Sequence, residues 1–386
     1  LLLWAGQAQA LNTLELRARL DKNPYAAARN AEHRAVEARS HGDELRRLEA
    51  LTLVAMAYNL VGDSSRATLP HKEAKALAIH LHQQSALALL YGVEGEFLGA
   101  DNQMAAATEA FEKGIATALA AKDADAEAIV RSQYGATLGS MMGKHLQATH
   151  QIETALLHFE KKGDRARQAE ARSAFASVYE FQRNPKRSIA ERLKALALIS
   201  PETQTYLAAS IYYDLGSNTY GTSNDDEAGK ALRRSIELSR SIGDNFSVAF
   251  AQSALAKVEM HAQRWNAAIA LMQQARPLLE QGGNPVSTAF LDARLAVCLA
   301  RTGQPSAWNR LRSAESVLAT SDNIENEHTY REAEIQVNAA FKRFEHAYLA
   351  QKRLFQIERK IFETSQNRQL TELSVRYQIE RRETEN

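Results

Sequence analysis

The 386-residue chain carries 47 Lys+Arg against 46 Asp+Glu, a formal charge of +1, with 45% hydrophobic residues, 18 glycines and 7 prolines. So balanced a chain has no cationic excess to neutralise a phosphate backbone or hold an anionic bilayer face, which excludes nucleic acid as the expected partner. Scarce Pro and Gly argue against a many-stranded β protein or a disordered chain, and the single cysteine, Cys298, excludes a disulfide framework and reads as a small buried apolar residue.

In chain order, residues 1–10 join an apolar stub, Leu1 to Trp4, to the small-x-small ending Ala8-Gln9-Ala10. This is how the end of a secretory signal peptide reads, with cleavage after Ala10 and an extracytoplasmic location for the rest. An ordinary apolar helix start is the alternative. No run of 18 or more apolar residues follows.

A column of small residues then recurs at Ala28, Ala67, Ala107, Ala148, Ser188, Ala228, Ala268, Ala307 and Ala347, a period of 39–41 residues. A second column stands seven residues later at Ala35, Ala74, Gly114, Ala155, Ala195, Ser235, Ala275 and Ala314, with Leu354 as the exception. Seven residues make two helical turns, so both columns lie on one helix face that a neighbouring helix approaches closely. A third column, twelve residues before the first, falls on the preceding helix at Ala55, Gly95, Ala136, Ala176, Gly216 and Ala256, then Leu295 and Ile335. Turn formers such as Gly62-Asp63, Asn184-Pro185, Gly163-Asp164 and Gly243-Asp244 separate the helices. Each unit is therefore two antiparallel helices, and a unit this size buries its apolar face only by stacking on its neighbours.

The columns, with an aromatic four residues after the first (Ala107 to Phe111) and a tyrosine three after the third (Ala55 to Tyr58, Ala176 to Tyr179), resemble the tetratricopeptide repeat. The fold class expected is all-α: a tetratricopeptide-like superhelical solenoid of about nine helix pairs over residues 11–362, followed by a connector helix over 363–386.

Chemistry-bearing motifs are absent. Met142-Gly143-Lys144-His145 lacks the first glycine and the hydroxyl of a phosphate loop, and no serine stands in a Gly-x-Ser-x-Gly setting. His80 and His82, two apart, would point about 200° apart on a helix and share no ion. His145, His150 and His158 read as solvated or interhelical. No catalytic residue, metal or cofactor is expected.

A binding role is expected of the concave wall of first helices. Phased on the third column, the wall presents Gln133, Thr137, Ser173, Ser177, Glu180, Tyr213, Ser217, Tyr220, Ser253 and Lys257. Small, hydroxylated and aromatic groups suit a peptide, a small polar ligand or a partner protein. A wetted wall without ligand is the alternative. The Lys/Arg/Asn clamp with which chaperone-binding tetratricopeptide domains hold a terminal carboxylate is not evident around Lys257.

Beyond the last repeat, Leu354, Ile357 and Ile361 form one apolar stripe and Leu370, Leu373 and Tyr377 another, with a shift at 364–367. The tail, with Leu-x-x-Leu-x-x-x-Tyr followed by Glu-Arg-Arg-Glu, resembles the segment joining extracytoplasmic tetratricopeptide arrays to a transmembrane helix in bacterial membrane sensors. That resemblance implies the periplasmic part of an inner-membrane receptor with a diguanylate cyclase (GGDEF) or histidine kinase output. It also implies signal relay, and a homodimer, through Leu370, Leu373 and Tyr377. A helix capping the last repeat is the alternative for the tail. A free-standing scaffold or adaptor, cytoplasmic or periplasmic, is the alternative for the whole.

Overall fold

The structure is a computed structural model that describes residues 12–139, 144–221, 224–321 and 323–385, without the side chains of 364–365 and 367–385. The signal-peptide reading of residues 1–10 and the relay side chains Leu370, Leu373 and Tyr377 lie outside what is described. Among the described residues all regular structure is helical.

The chain divides into two compact units, residues 1–218 with 238–244, and 219–237 with 245–386. The first contains α1 (Thr13–Lys22), α2 (Pro24–Ser40), α3 (Glu44–Leu60), α4 (Ser64–His80), α5 (Gln84–Ala100), α6 (Met104–Ala121), α7 (Ala124–Gly139), α8 (His145–Lys162), α9 (Arg165–Phe181), α10 (Pro185–Leu198) and nearly all of α11 (Thr205–Thr219). Helix α12 (Asp225–Ser241) carries residues of both. The second unit continues with α13 (Asn245–His261), α14 (Trp265–Gln281), α15 (Pro285–Arg301), α16 (Ala307–Leu318), α17 (Ile324–Ala340) and α18 (Phe344–Glu385).

Successive helices pack as antiparallel pairs, and first helices pack on first helices one pair along, as α3 on α5, α5 on α7, and α15 on α17. The columns lie where the periodicity puts them. Ala28, Ala67, Ala148, Ser188, Ala228, Ala268 and Ala307 are wholly buried, and so are Ala74, Ala155, Ala195, Ala275 and Ala314. The tetratricopeptide-like solenoid is thus the observed architecture, and Cys298 is buried in it.

One mark of the third column moves. Ala136 is exposed, and Gly135 takes the close-contact position: a Cβ there would stand 2.4 Å from Ile152 Cγ1 and 3.0 Å from the Ala148 carbonyl oxygen. Gly95 has the same role, its absent Cβ facing the Phe111 ring. Counting back twelve from Ala148 stops one residue short because the extra residue of this 41-residue repeat falls after Gly135.

The turns follow one device. A residue with left-handed backbone precedes a residue that caps the next helix, at Gly42, Gly62, His82, Asn102, Lys122, Gly163, Arg183, Gly243, Gln263, Gly283 and Lys342. The following Asp43, Asp63, Asp164, Asn184 and Asn284 each accept a backbone N–H three residues on, satisfying an orphan donor of the helix start. His82 therefore sits in a turn rather than on a helix with His80.

The first unit departs from a purely local array. Tyr206 Oη donates to the Leu60 carbonyl 2.9 Å away, joining α11 to the end of α3, and Tyr25 Oη donates to Asp244 Oδ1 at 2.9 Å. In the second unit Asp292, wholly buried, accepts from Arg276 Nε and Nη2 (2.9 and 3.2 Å) and from Ser313 Oγ at 2.7 Å, with Arg310 also beside it.

Candidate binding site on the wall of first helices

In the first unit the first helices α5, α7, α9 and α11 present polar side chains to a pocket of about 270 Å³. Its lining includes Glu96, Ser132, Gln133, Ser173, Ser177 and Tyr206, and α1 contributes Arg17 and Asp21. Helical periodicity explains the set. Glu96, Ala136 and Ser177 each stand one residue after a close-contact position (Gly95, Gly135, Ala176), and Ser132 and Ser173 stand three before one, so they share the groove side of successive helices.

Four charges cross the pocket floor. Arg17 pairs with Glu170, Glu170 with Arg167, and Arg167 with Asp21. Arg17 and Arg167 are nearly inaccessible to solvent. Burial alone would raise the Glu170 carboxyl, but the Arg167 and Arg17 guanidiniums outweigh it and hold the group down at about 2. Glu96 goes the other way. Burial pushes it up to about 7, against the pull of Arg17 and with the push of Glu170, although its carboxylate accepts from Asn59 and, at 2.8 Å, from Gln133 Nε2. The Gln133 Oε1 atom rests over Gly92, where a Cβ would come within 2.5 Å of it. Gly92 thereby makes room for the amide that orients Glu96.

Of the ten expected wall residues, the structure brings Gln133, Ser173 and Ser177 together here. Thr137 turns its methyl toward Gly99 of α5 instead. Glu180 accepts from Arg192 (3.1 Å) and Asn218 (2.8 Å) outside the pocket. Tyr213 is half-buried on α11, also outside it, and Ser217 Oγ is buried without a hydrogen-bond partner among the described residues. Tyr220, Ser253 and Lys257 belong to the second unit. There Tyr220 meets His261 edge-on at 5.7 Å, and burial beside Arg294 brings Lys257 down to about 8. His158 is interhelical, 2.7 Å from Asp125 Oδ1. Among the described residues no group of three or more His, Cys, Asp and Glu is placed to hold a metal ion.

Sequence reasoning missed Arg17, Asp21, Glu96, Arg167 and Glu170. The signal for Glu96 was present, since the wall phase applied to α5 selects it. The other four had no local signal.

No protein-family model matches the chain, and no curated protein matches it in sequence. Solved structures do. A Rap protein complexed with Competence and Sporulation Factor matches 91% of this chain and 99% of its own at a TM-score of 0.59 and 12% identity. The apo quorum sensor NprR from B. thuringiensis matches 86% of this chain and 98% of its own at 0.53 and 12%. A signal transduction ATPase with a tetratricopeptide repeat sensor from Pyrococcus horikoshii matches 85% of this chain and 54% of its own at 0.56 and 14%. At these identities the similarity is one of fold.

The expected periplasmic placement in an inner-membrane receptor is corrected. Among the described residues no helix is long and apolar enough to cross a membrane. A Rap protein and NprR are among the structures matched over nearly their whole length, and neither gives support to a periplasmic placement.

Proposed function

We propose that the chain is a peptide- or protein-binding helical array, a scaffold or regulator whose first unit holds a short polar segment of its partner. The observation that carries this is the pocket beside α1. Serine hydroxyls, the Gln133 amide, Tyr206 and side chains of both charge signs converge on one concavity of about 270 Å³. Such a mixed set of donors and acceptors complements an extended peptide, whose backbone offers both, better than it complements a purely apolar or purely anionic ligand. A structure of the same fold in complex with Competence and Sporulation Factor is consistent with use of the fold for binding. Relay through Leu370, Leu373 and Tyr377 to a cyclase or kinase is the part of the expectation that rests on the tail's sequence alone.

The test is selection of peptides from a displayed random library on the purified chain, followed by fluorescence polarisation with the selected sequences. Ser173→Trp and Ser177→Trp fill the pocket and should each weaken binding at least tenfold while helicity is retained. Peptides that bind both variants as tightly as the parent chain would remove this assignment.

A further inference from the structure

Helix α1 does not behave as the first member of a pair. The first helices α3, α5, α9, α13, α15 and α17 run to 17 residues, whereas α1 has 10. Only Asn23 separates it from α2, in an extended conformation (φ −158°, ψ 95°) with its side chain accepting from Ala26 N to start the next helix. The chain turns there, and α1 touches α2, α3 and α7 alike, without the extensive contact along one neighbour that marks the later helix pairs.

Its apolar face is seated on the wall. Leu16 and Leu20 are 2% and 0% exposed and share a core with Leu53 and Met56 of α3, Leu89 and Val93 of α5, and Ile129 of α7. Its polar flank is read residue by residue. Thr13 Oγ1 donates to Asp123 Oδ2 at 3.0 Å, Arg17 pairs with Glu170 and Asp21 with Arg167, partners 110, 153 and 146 positions away. Leucines one turn apart lying in a groove, with flanking charges fixing register, are the geometry by which grooves receive amphipathic helices. Without α1, Arg17 and Asp21 would leave the buried Glu170–Arg167 pair with fewer counter-charges, a costly state for charges withdrawn from water.

We infer that the wall of the first unit is a receptor for an amphipathic helix and that α1 is its tethered resident. The ligand class is a helix carrying Leu-Arg-x-x-Leu-Asp, as in Leu16, Arg17, Leu20 and Asp21. This rests on reading the wall as a binding face, and adds to the extended segment held beside α1 a helical ligand that takes the place of α1. A partner helix of this pattern takes the seat when α1 leaves, and competes against a resident whose one-residue tether gives it an effective concentration of about millimolar or more.

The probe is a fluorescein-labelled peptide with the sequence of residues 12–23, titrated into the full chain. The parent chain should show at least tenfold weaker binding than a Leu16→Glu/Leu20→Glu chain, whose resident can no longer fill the seat. Adding Glu170→Arg to that chain should reduce binding at least tenfold, and a peptide carrying Arg17→Glu should recover it. Circular dichroism checks folding. Should the double variant lose its helicity, Arg17→Glu/Asp21→Arg, which keeps both leucines, releases the resident instead. No binding to a folded released chain, equal binding to the parent, or no charge-swap recovery overturns the inference. If library peptides still bind through Ser173 and Ser177, only the tethered-helix inference falls; if they too fail, the binding reading falls with it.

Discussion

Glu96 and Glu170 share one pocket and titrate in opposite directions, which gives the protein a pH signature that can be worked out by sign. An unfolded glutamate titrates near 4.5, and folded Glu96 near 7. Between those values the folded chain binds a proton that the unfolded chain does not, so stability falls as pH rises from 5 to 8, by roughly 1–3 kcal/mol. Glu170, held at about 2, contributes stability that is complete above 4.5 and lost as pH drops toward 2. Glu96→Gln should therefore leave stability at pH 5 nearly unchanged, raise it at pH 8, and leave the acid limb intact. Urea denaturation at pH 3, 5 and 8 reads all three arms, and an unchanged slope between 5 and 8 would contradict the burial of Glu96. Asp292 is the corresponding test in the second unit. Its removal by Asp292→Ala leaves the partly buried Arg276 without its two-toothed acceptor and should destabilise the chain by about 3–5 kcal/mol, seen as a lowered melting temperature.

At the scale of the helix and its turn, the repeat is written in backbone conformation as clearly as in small residues. Left-handed residues recur about every 20 positions through each unit, and among the described residues seven of them are glycine and six are not. A residue with a Cβ costs about 1–2 kcal/mol in this conformation, partly offset by the lower entropy glycine brings to the unfolded chain. Arg183 and Gln263 are exposed, so Arg183→Gly and Gln263→Gly should each raise stability by about 0.5–1 kcal/mol. Gly163→Ala should lower it by a similar amount, since a Cβ there meets nothing within 4 Å and the loss is conformational alone. Gly135→Ala differs in mechanism: its methyl would press on Ile152 and the Ala148 carbonyl, an overpacking cost of about 1–3 kcal/mol. Denaturation midpoints that ranked Gly163→Ala above Gly135→Ala in cost would reverse this reading. These features were legible because helix pairing is local, and Ala107, Ala148 and Gly163 announce it within one repeat. The slip from Ala136 to Gly135 arose from a single extra residue after Gly135, which a column counted backward from the next helix cannot locate.

For the larger assembly of helices, the distinction is between contacts that run along the array and contacts that cross it. A solenoid built only of neighbours has stability that is a sum of local terms, and a mutation in one pair leaves distant pairs untouched. The first unit is tied otherwise, by Tyr206 to Leu60, by Tyr25 to Asp244, and by the four charges joining α1 to α9. Such pairs carry no sequence signal, since residues 146 or 219 positions apart share neither periodicity nor a motif. That is why the solenoid could be read from the chain while the route of α1 and the charged pocket floor could not. Tyr25→Phe and Tyr206→Phe remove one hydroxyl each and leave the rings in place, so they test the cross-ties with little change in packing. Burial and the nearby Asp244 carboxylate hold both phenols above their ordinary range, so they stay protonated donors through neutral pH. In the double variant, amide hydrogen exchange should quicken in α2, α3 and α11 together, while α15 and α17 keep the parent's protection. Faster exchange confined to the turn beside each mutated residue would mean that the first unit, like an ordinary array, is stabilised by its neighbours alone.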